Sequence, residues 1–165
     1  MSNANRHRLI HQLLPAVFLC MTASSFAATS TGSLSVSSTV LAACSVTGAS
    51  LAFGSYTNAQ IDNSAAVSVT CTNGTSYNVG LDAGGGSGAT MASRKMTGSV
   101  SGTLSYSLYK DAGRSTVWGN TVGSDTAIGT GTGSAQSMSV YGRVPSGQNV
   151  DAGVYSDTVT VTLTY

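Results

Sequence analysis

The chain has 165 residues, of which 41% are hydrophobic and only 8% are charged, and its formal net charge is +1. Soluble domains usually carry about 25% charged residues, so this protein has few solvated charges. The seven lysines and arginines are dispersed and form no basic patch for a phosphate backbone. This composition argues against nucleic acid as a partner.

Residues 1–27 have the three parts of a secretory signal peptide. Arg6 and Arg8 supply the positive charge, an apolar run covers residues 9–21, and Ser25-Phe26-Ala27 provides a cleavage site with small residues. The apolar run is shorter than the roughly 20 residues of a membrane span. We therefore predict that the protein is exported and cleaved after Ala27, which leaves 138 residues (165 − 27) for one domain.

Loss of the signal removes His7, His11 and Cys20, so the mature chain keeps two cysteines, Cys44 and Cys71. In an oxidising compartment they permit one intramolecular disulfide, and two free buried thiols are the alternative. Closing that loop should stabilise the fold by about 3–4 kcal/mol.

The mature chain is poorly equipped for catalysis. Without histidine it lacks the commonest general base and metal ligand, and the aspartates do not have the spacing of a calcium loop. The glycine clusters 84–88 and 129–133 match neither phosphate-binding motif and are better interpreted as flexible loops. We expect no enzymatic activity, no metal and no cofactor.

Short segments alternate between apolar and polar residues, which is typical of half-buried strands. In the first two, the predicted inward residues are Val67, Val69 and Cys71, then Tyr77, Val79 and Leu81. Asn73-Gly74 lies between these two segments and predicts a β-hairpin. Segments 104–108 and 138–144 repeat the alternation, and together these patterns predict an antiparallel β-sandwich.

The last segment alternates up to the final residue of the chain. Threonines at 158, 160, 162 and 164 form one side, and the other side consists of Tyr155, Asp157, Val159, Val161, Leu163 and Tyr165. Chain ends usually fray unless something holds them. We therefore expect an edge strand that a second protein completes by strand addition. An ordinary sandwich strand is the alternative.

The segment after the cleavage site also alternates. Gly32, Leu34, Val36 and Val40 lie on one side, opposite Ser33, Ser35, Ser37 and Thr39. At about 3.3 Å per residue, residues 31–40 would extend some 30 Å. The segment suits either the first strand of its own domain or a strand that fills a groove in the next copy. In a groove, each buried leucine or valine would contribute about 1.5–3 kcal/mol.

Several short motifs follow one another in order through the mature chain. They are Gly32–Val36, Leu51–Gly54, Val67–Cys71, Leu104–Asp111, Val117–Gly119, Val140–Pro145 and Gly153–Thr158 running into Tyr165. Together they resemble the spore coat protein U family, the subunits of archaic chaperone–usher pili (Csu-type fimbriae).

The resemblance implies an incomplete immunoglobulin-like β-sandwich over residues 43–165 that is completed by a donated strand. A periplasmic chaperone first supplies that strand, and at an outer-membrane usher the N-terminal extension of the next subunit replaces it. The donor extension would cover residues 28–42 and include Gly32, Leu34, Val36 and Val40. The acceptor edge would be formed by Val159, Val161, Leu163 and Tyr165, with the terminal carboxylate held by the chaperone.

The resemblance also implies a place and a role for the protein. Identical or related subunits would polymerise into a cell-surface fibre after a periplasmic stage, and the fibre would support surface adhesion and biofilm formation. The tip adhesins of such systems have two domains, so a single domain suggests a shaft or adaptor subunit. The alternative is a secreted monomeric carbohydrate-binding module that uses Tyr56, Tyr109, Trp118 and Tyr141, although core packing also explains these aromatic residues.

Overall fold

The computed structural model describes residues 25–165. The predicted signal peptide lies almost entirely outside this range. Residues 25–38 contain no strand and belong to a unit separate from residues 39–165, where nine strands lie. Across residues 25–165 no helix is formed, and hence none that is long and apolar enough to cross a membrane.

Apart from β2 with 11 residues and β7 with 10, the strands are short, and the loops that join them are rich in glycine and serine. Their bounds are β1 Cys44–Thr47, β2 Ile61–Cys71, β3 Ser76–Leu81, β4 Arg94–Gly98, β5 Thr103–Tyr109, β6 Ala127–Thr130, β7 Ala135–Val144, β8 Tyr155–Ser156 and β9 Val161–Thr164.

These strands form two sheets that enclose one core. The larger sheet has the order β1-β2-β7-β5-β4-β8, and the smaller has the order β6-β3-β9. Every strand pair is antiparallel. The sequence prediction of an all-β antiparallel sandwich is confirmed.

The predicted alternation decides which side chains enter the core. Both sheets contribute buried residues, which are Val67, Val69 and Cys71 of β2, Tyr77, Val79 and Leu81 of β3, Leu104, Tyr106 and Leu108 of β5, and Val140 and Val144 of β7. Trp118 is buried among them, and its indole N–H donates to the carbonyl oxygen of Val79 at 2.8 Å. A buried tryptophan needs such a partner, because an unpaired N–H in the core would cost free energy.

The hairpin prediction at Asn73-Gly74 was wrong, although a turn is present there. Gly74 has a φ of 82°, and the Thr75 N–H donates to the Thr72 carbonyl at 3.0 Å. The flanking strands nevertheless belong to different sheets, since both edges of β2 are already paired with β1 and β7. The turn therefore carries the chain across the sandwich.

The C-terminal segment is not one continuous strand, as the sequence had suggested. Tyr155–Ser156 pairs with β4 in the larger sheet, whereas Val161–Thr164 pairs with β3 in the smaller one. Residues 157–160 connect the two sheets. The alternation of half-buried and exposed side chains continues through this crossover to Leu163, which explains why the pattern predicted a single strand.

A disulfide joins Cys44 to Cys71, as predicted. The two residues are directly opposite each other in the β1–β2 ladder. Strand β1 has only four residues and pairs with β2 alone. The covalent bridge therefore fixes the first strand of the domain to the central part of the larger sheet.

Replacing Cys44 and Cys71 with alanine should lower the free energy of unfolding by about 3–4 kcal/mol, because the unfolded chain loses a loop constraint. Urea denaturation followed by tryptophan fluorescence measures this change. Reductant should shift the midpoint of the unsubstituted protein in the same direction and leave the double variant unchanged. An unsubstituted midpoint that is insensitive to reductant would contradict the prediction.

Candidate strand-acceptor groove

Strand β9 is at the edge of the smaller sheet. Its residues pair with β3 on one side, with Leu163 opposite Val79 and Val161 opposite Leu81. On its other side, no strand from residues 25–165 is paired with it. An edge of this kind presents unpaired backbone N–H and C=O groups that can bind another strand.

A groove begins at Val161 of β9 and continues along the chain that precedes this strand. Two adjoining cavities of about 740 Å³ and 490 Å³ share Leu51, Phe53, Met96 and Tyr155 as lining residues. One wall is the segment 48–56, which follows β1, and the other is the segment 148–161, which leads into β9. We call this feature the β9 groove.

Core side chains form the floor of the β9 groove. They come from both sheets and are Val67, Leu81, Leu104, Tyr106, Leu108, Val140 and Val144. Around them, Leu51, Phe53 and Met96 pack against the core while remaining partly exposed. A hydrophobic interior that is open along one side gains stability when a further apolar segment covers it.

The four residues predicted to form the acceptor edge have different positions. Val159 and Val161 line the groove, and both, like Leu163, are half-buried against the core. Tyr165 is 60% exposed and lines neither cavity. Their role in binding another strand remains a prediction.

Asp157 holds the crossover that leads into β9. Its Oδ1 accepts hydrogen bonds from the N–H groups of Gly85 and Thr158, both at 2.8 Å. Its Oδ2 accepts a hydrogen bond from the Tyr106 hydroxyl at 2.6 Å. Burial, together with this hydrogen bond, raises the pKa of Tyr106 well above its ordinary value. The tyrosine therefore stays a donor and ties the crossover to the groove floor.

Asp82 fixes the crossover from the side of β3. Its Oδ1 accepts from the N–H groups of Gly84 and Thr160, both at 2.9 Å, and the Asp82 N–H donates to the Thr160 carbonyl at 3.1 Å. Burial by itself would raise the pKa of Asp82, but the hydrogen bonds from Thr160 and Gly84 outweigh burial and lower that pKa.

The end of β3 is held in turn by Arg94, which is fully buried. Its guanidinium donates to the carbonyl oxygens of Asp82 at 2.7 Å, Met91 at 2.9 Å, Leu81 at 3.0 Å and Trp118 at 2.7 Å. Burial lowers the pKa of Arg94. The four carbonyl dipoles replace the lost water, as a buried cation requires.

The predicted donor residues are exposed. The exposed fractions are 88% for Leu34, 84% for Val36 and 81% for Val40. A β-carbon added to Gly32 would meet no atom within 4 Å. Residues 31–40 are not part of a strand. These three apolar side chains are in contact with water, so a partner that buries them lowers the free energy of the system.

The sequence analysis did not identify the groove wall formed by residues 48–56 or the polar network. The alternation of Leu51 and Phe53 with small residues was a usable signal for the first wall, but the segment is short and forms no strand. Arg94 gave no signal, because a lone arginine usually lies at the surface. The glycine cluster 84–88, expected to be a flexible loop, is held by hydrogen bonds to Asp82 and Asp157.

The aromatic residues considered for carbohydrate binding do not form a common surface platform. Trp118 is buried. The Tyr56 hydroxyl donates a hydrogen bond to the Pro145 carbonyl at 3.0 Å and accepts one from the Gln148 N–H at 2.9 Å. Tyr109 and Tyr141 are half-buried neighbours across the β5–β7 pair. Among residues 25–165, no three His, Cys, Asp or Glu side chains are grouped to hold a metal ion.

The family model of the Spore Coat Protein U domain matches residues 30–162, which is most of the chain. This chain belongs to the spore coat protein U family. Protein U of Myxococcus xanthus is 37% identical over 156 residues, which cover 84% of this chain and 87% of that protein. The resemblance found in the sequence motifs is thereby confirmed.

A solved structure shares the fold of this spore coat protein U chain. It is the crystal structure of the CsuC–CsuE chaperone–tip adhesion subunit pre-assembly complex from archaic chaperone–usher Csu pili of Acinetobacter baumannii. The TM-score is 0.57 at 23% identity, over 77% of this chain. The match spans only 40% of the chain in that structure. It confirms the immunoglobulin-like sandwich.

Two glycines with the same backbone conformation allow a matched test of the crossover network. Gly84 and Gly133 both have a φ of 78°. A β-carbon on Gly133 would meet nothing within 4 Å, whereas on Gly84 it would collide with the Asp157 carboxylate.

Gly133→Ala should lower the free energy of unfolding by about 1–2 kcal/mol from backbone strain alone. Gly84→Ala should cost about 1–3 kcal/mol more, because Asp157 cannot move without losing its hydrogen bonds. Equal losses of unfolding free energy in urea would contradict this account.

The depressed pKa of Asp82 makes a specific contribution to stability at low pH. The unfolded state binds a proton near the ordinary value of 3.8, and the folded state binds it only at lower pH. The contribution is therefore fully present above about pH 4 and is lost as the pH falls through the folded-state pKa. Asp82→Asn keeps an oxygen acceptor but cannot titrate. The difference in unfolding free energy between the two proteins should shrink below pH 4, and a difference independent of pH would count against the assignment.

Proposed function

We propose that the chain is a structural subunit of a cell-surface pilus and that its β9 groove accepts residues 28–42 of another copy. The observation that carries this proposal is the β9 groove itself, in which core side chains line an opening next to an unpaired strand edge. A strand placed there would supply the missing backbone partners of β9 and cover the floor.

The donor segment has the properties that this groove requires. Leu34, Val36 and Val40 share one face and are exposed, and the intervening residues are small and polar. Burying each of the three would contribute about 1.5–3 kcal/mol. Ladder hydrogen bonds to β9 would add to this.

Family membership and the predicted signal peptide support assembly by the chaperone–usher route. A subunit with an open core would aggregate in isolation, so a periplasmic chaperone that lends a strand is the expected first partner. An outer-membrane usher would then exchange that strand for the extension of the next subunit. On this proposal the role is structural and not enzymatic, and the fibre supports surface adhesion and biofilm formation.

Deleting residues 28–40 while retaining the signal peptide should leave a subunit that binds its chaperone but does not polymerise, since its own groove is intact and its donor segment is gone. Chaperone co-purification measures the first property. Multimers that resist SDS in unheated samples measure the second. Normal fibres from the deletion variant would end the proposal.

A pair of point variants separates burial in a groove from a general effect of charge. Val36→Arg places a cation on the inward face of the donor segment, where burial of an unpaired charge is prohibitive. Ser37→Arg places the same side chain on the outer face. The first should abolish SDS-resistant multimers, and the second should leave their amount nearly unchanged. Equal behaviour of the two variants would contradict the proposed pairing.

A further inference from the structure

The apolar–polar alternation of the donor segment breaks at its end. Ser33, Ser35, Ser37 and Thr39 make the outer face polar, but the next residue in that series is Leu41. Leu41 is 76% exposed. A strand seated in the β9 groove directs this side chain away from the groove, so burial of the donor face does not account for a leucine there.

The backbone around Leu41 is fixed to the domain. The Thr72 hydroxyl lies 3.4 Å from the Leu41 carbonyl oxygen and 3.3 Å from that of Ala43. The Thr72 N–H donates to the Ala43 carbonyl at 2.9 Å, next to the Cys44–Cys71 bridge. Leu41 is thus presented on an anchored segment.

An exposed apolar pair lies beside the groove wall formed by residues 148–161. Val100 is 78% exposed and Val154 is 72% exposed. Their loops are joined by a hydrogen bond from the Ser99 N–H to the Val154 carbonyl at 2.8 Å. Val154 also lines the larger cavity. The pair is therefore continuous with the β9 groove.

The direction of the donated strand connects these two features. All strand pairs of the sandwich are antiparallel, and a donor that pairs with β9 in the same way would run opposite to Val161–Thr164. With Leu34 and Val36 opposite β9, residues 40–43 of the incoming copy lie beyond the start of β9, on the side from which the chain arrives from Val154, since the strand advances about 3.3 Å per residue.

We propose that Leu41 of one copy packs on Val100 and Val154 of the copy whose groove it enters. This contact rests on the proposed function, since it needs a donated strand to bring the two copies together. It lies at the part of the groove that Val154 lines and adds an apolar junction between consecutive subunits, in addition to the burial of Leu34, Val36 and Val40. The junction restricts the orientation of one domain relative to the next in the polymer.

Cysteine cross-linking between two differently substituted chains tests this contact. One chain carries Leu41→Cys and the other carries Val154→Cys, and a short bismaleimide is added to the co-assembled polymer. We expect a covalent dimer on a heated SDS gel. The matched control replaces the second chain by one with Ile128→Cys. Ile128 is 75% exposed and lies on β6, on the far side of β3 from β9. The control should give no cross-link.

A second variant measures the energetic effect of the junction. Leu41→Ser should raise the dissociation constant between copies in denaturant about tenfold, since it removes one buried leucine. Val122→Ser changes a half-exposed valine away from the junction and should have no effect.

The contact is overturned if SDS-resistant multimers form but the Val154 cross-link is absent or matched by the Ile128 control. If the unsubstituted chain gives no such multimers, the proposed function fails and the contact fails with it.

Discussion

The unpaired edge of β9 is the constraint on which the rest of the structure depends. Within residues 25–165 the smaller sheet has only three strands, and β9 borders an opening onto the core. The apolar side chains of β9 that pack against the core, Val161 and Leu163, are only half-buried. Because apolar surface in contact with water raises the free energy of the isolated domain, closing the sandwich with another strand is favourable. Structure and proposed assembly thus follow from the same missing pairing.

The polar network around the crossover gives this open edge a defined shape. Arg94 holds the end of β3, Asp82 joins that end to Thr160, and Asp157 ties the crossover to Tyr106 and the 84–88 loop. In the part of the chain that the structure describes, every buried side-chain nitrogen or oxygen has a hydrogen-bond partner. If the edge binds a strand as proposed, a rigid backbone helps to define a single register. The network provides rigidity where hydrophobic packing is incomplete.

The sequence predicted the sheet faces well and their connections poorly. Alternation in 67–71, 77–81 and 104–108 identified the buried residues, because inward direction depends only on the local period of two. Pairing partners depend on distant segments, so Asn73-Gly74 was taken for a hairpin and residues 155–165 for one strand. Arg94 was not predicted for a related reason. Its burial is created by the fold and leaves no periodic signal in the sequence.

The position of the disulfide has a mechanical consequence. In a polymer, a tensile load pulling on residues 28–42 enters the domain at Cys44. The four-residue ladder of β1 would unzip readily if it carried that load alone. The covalent bridge instead passes the force to Cys71 at the end of β2, whose ten paired residues in the β2–β7 ladder resist shear together. In the proposed fibre, the disulfide thus lets the tensile load bypass the short ladder of β1.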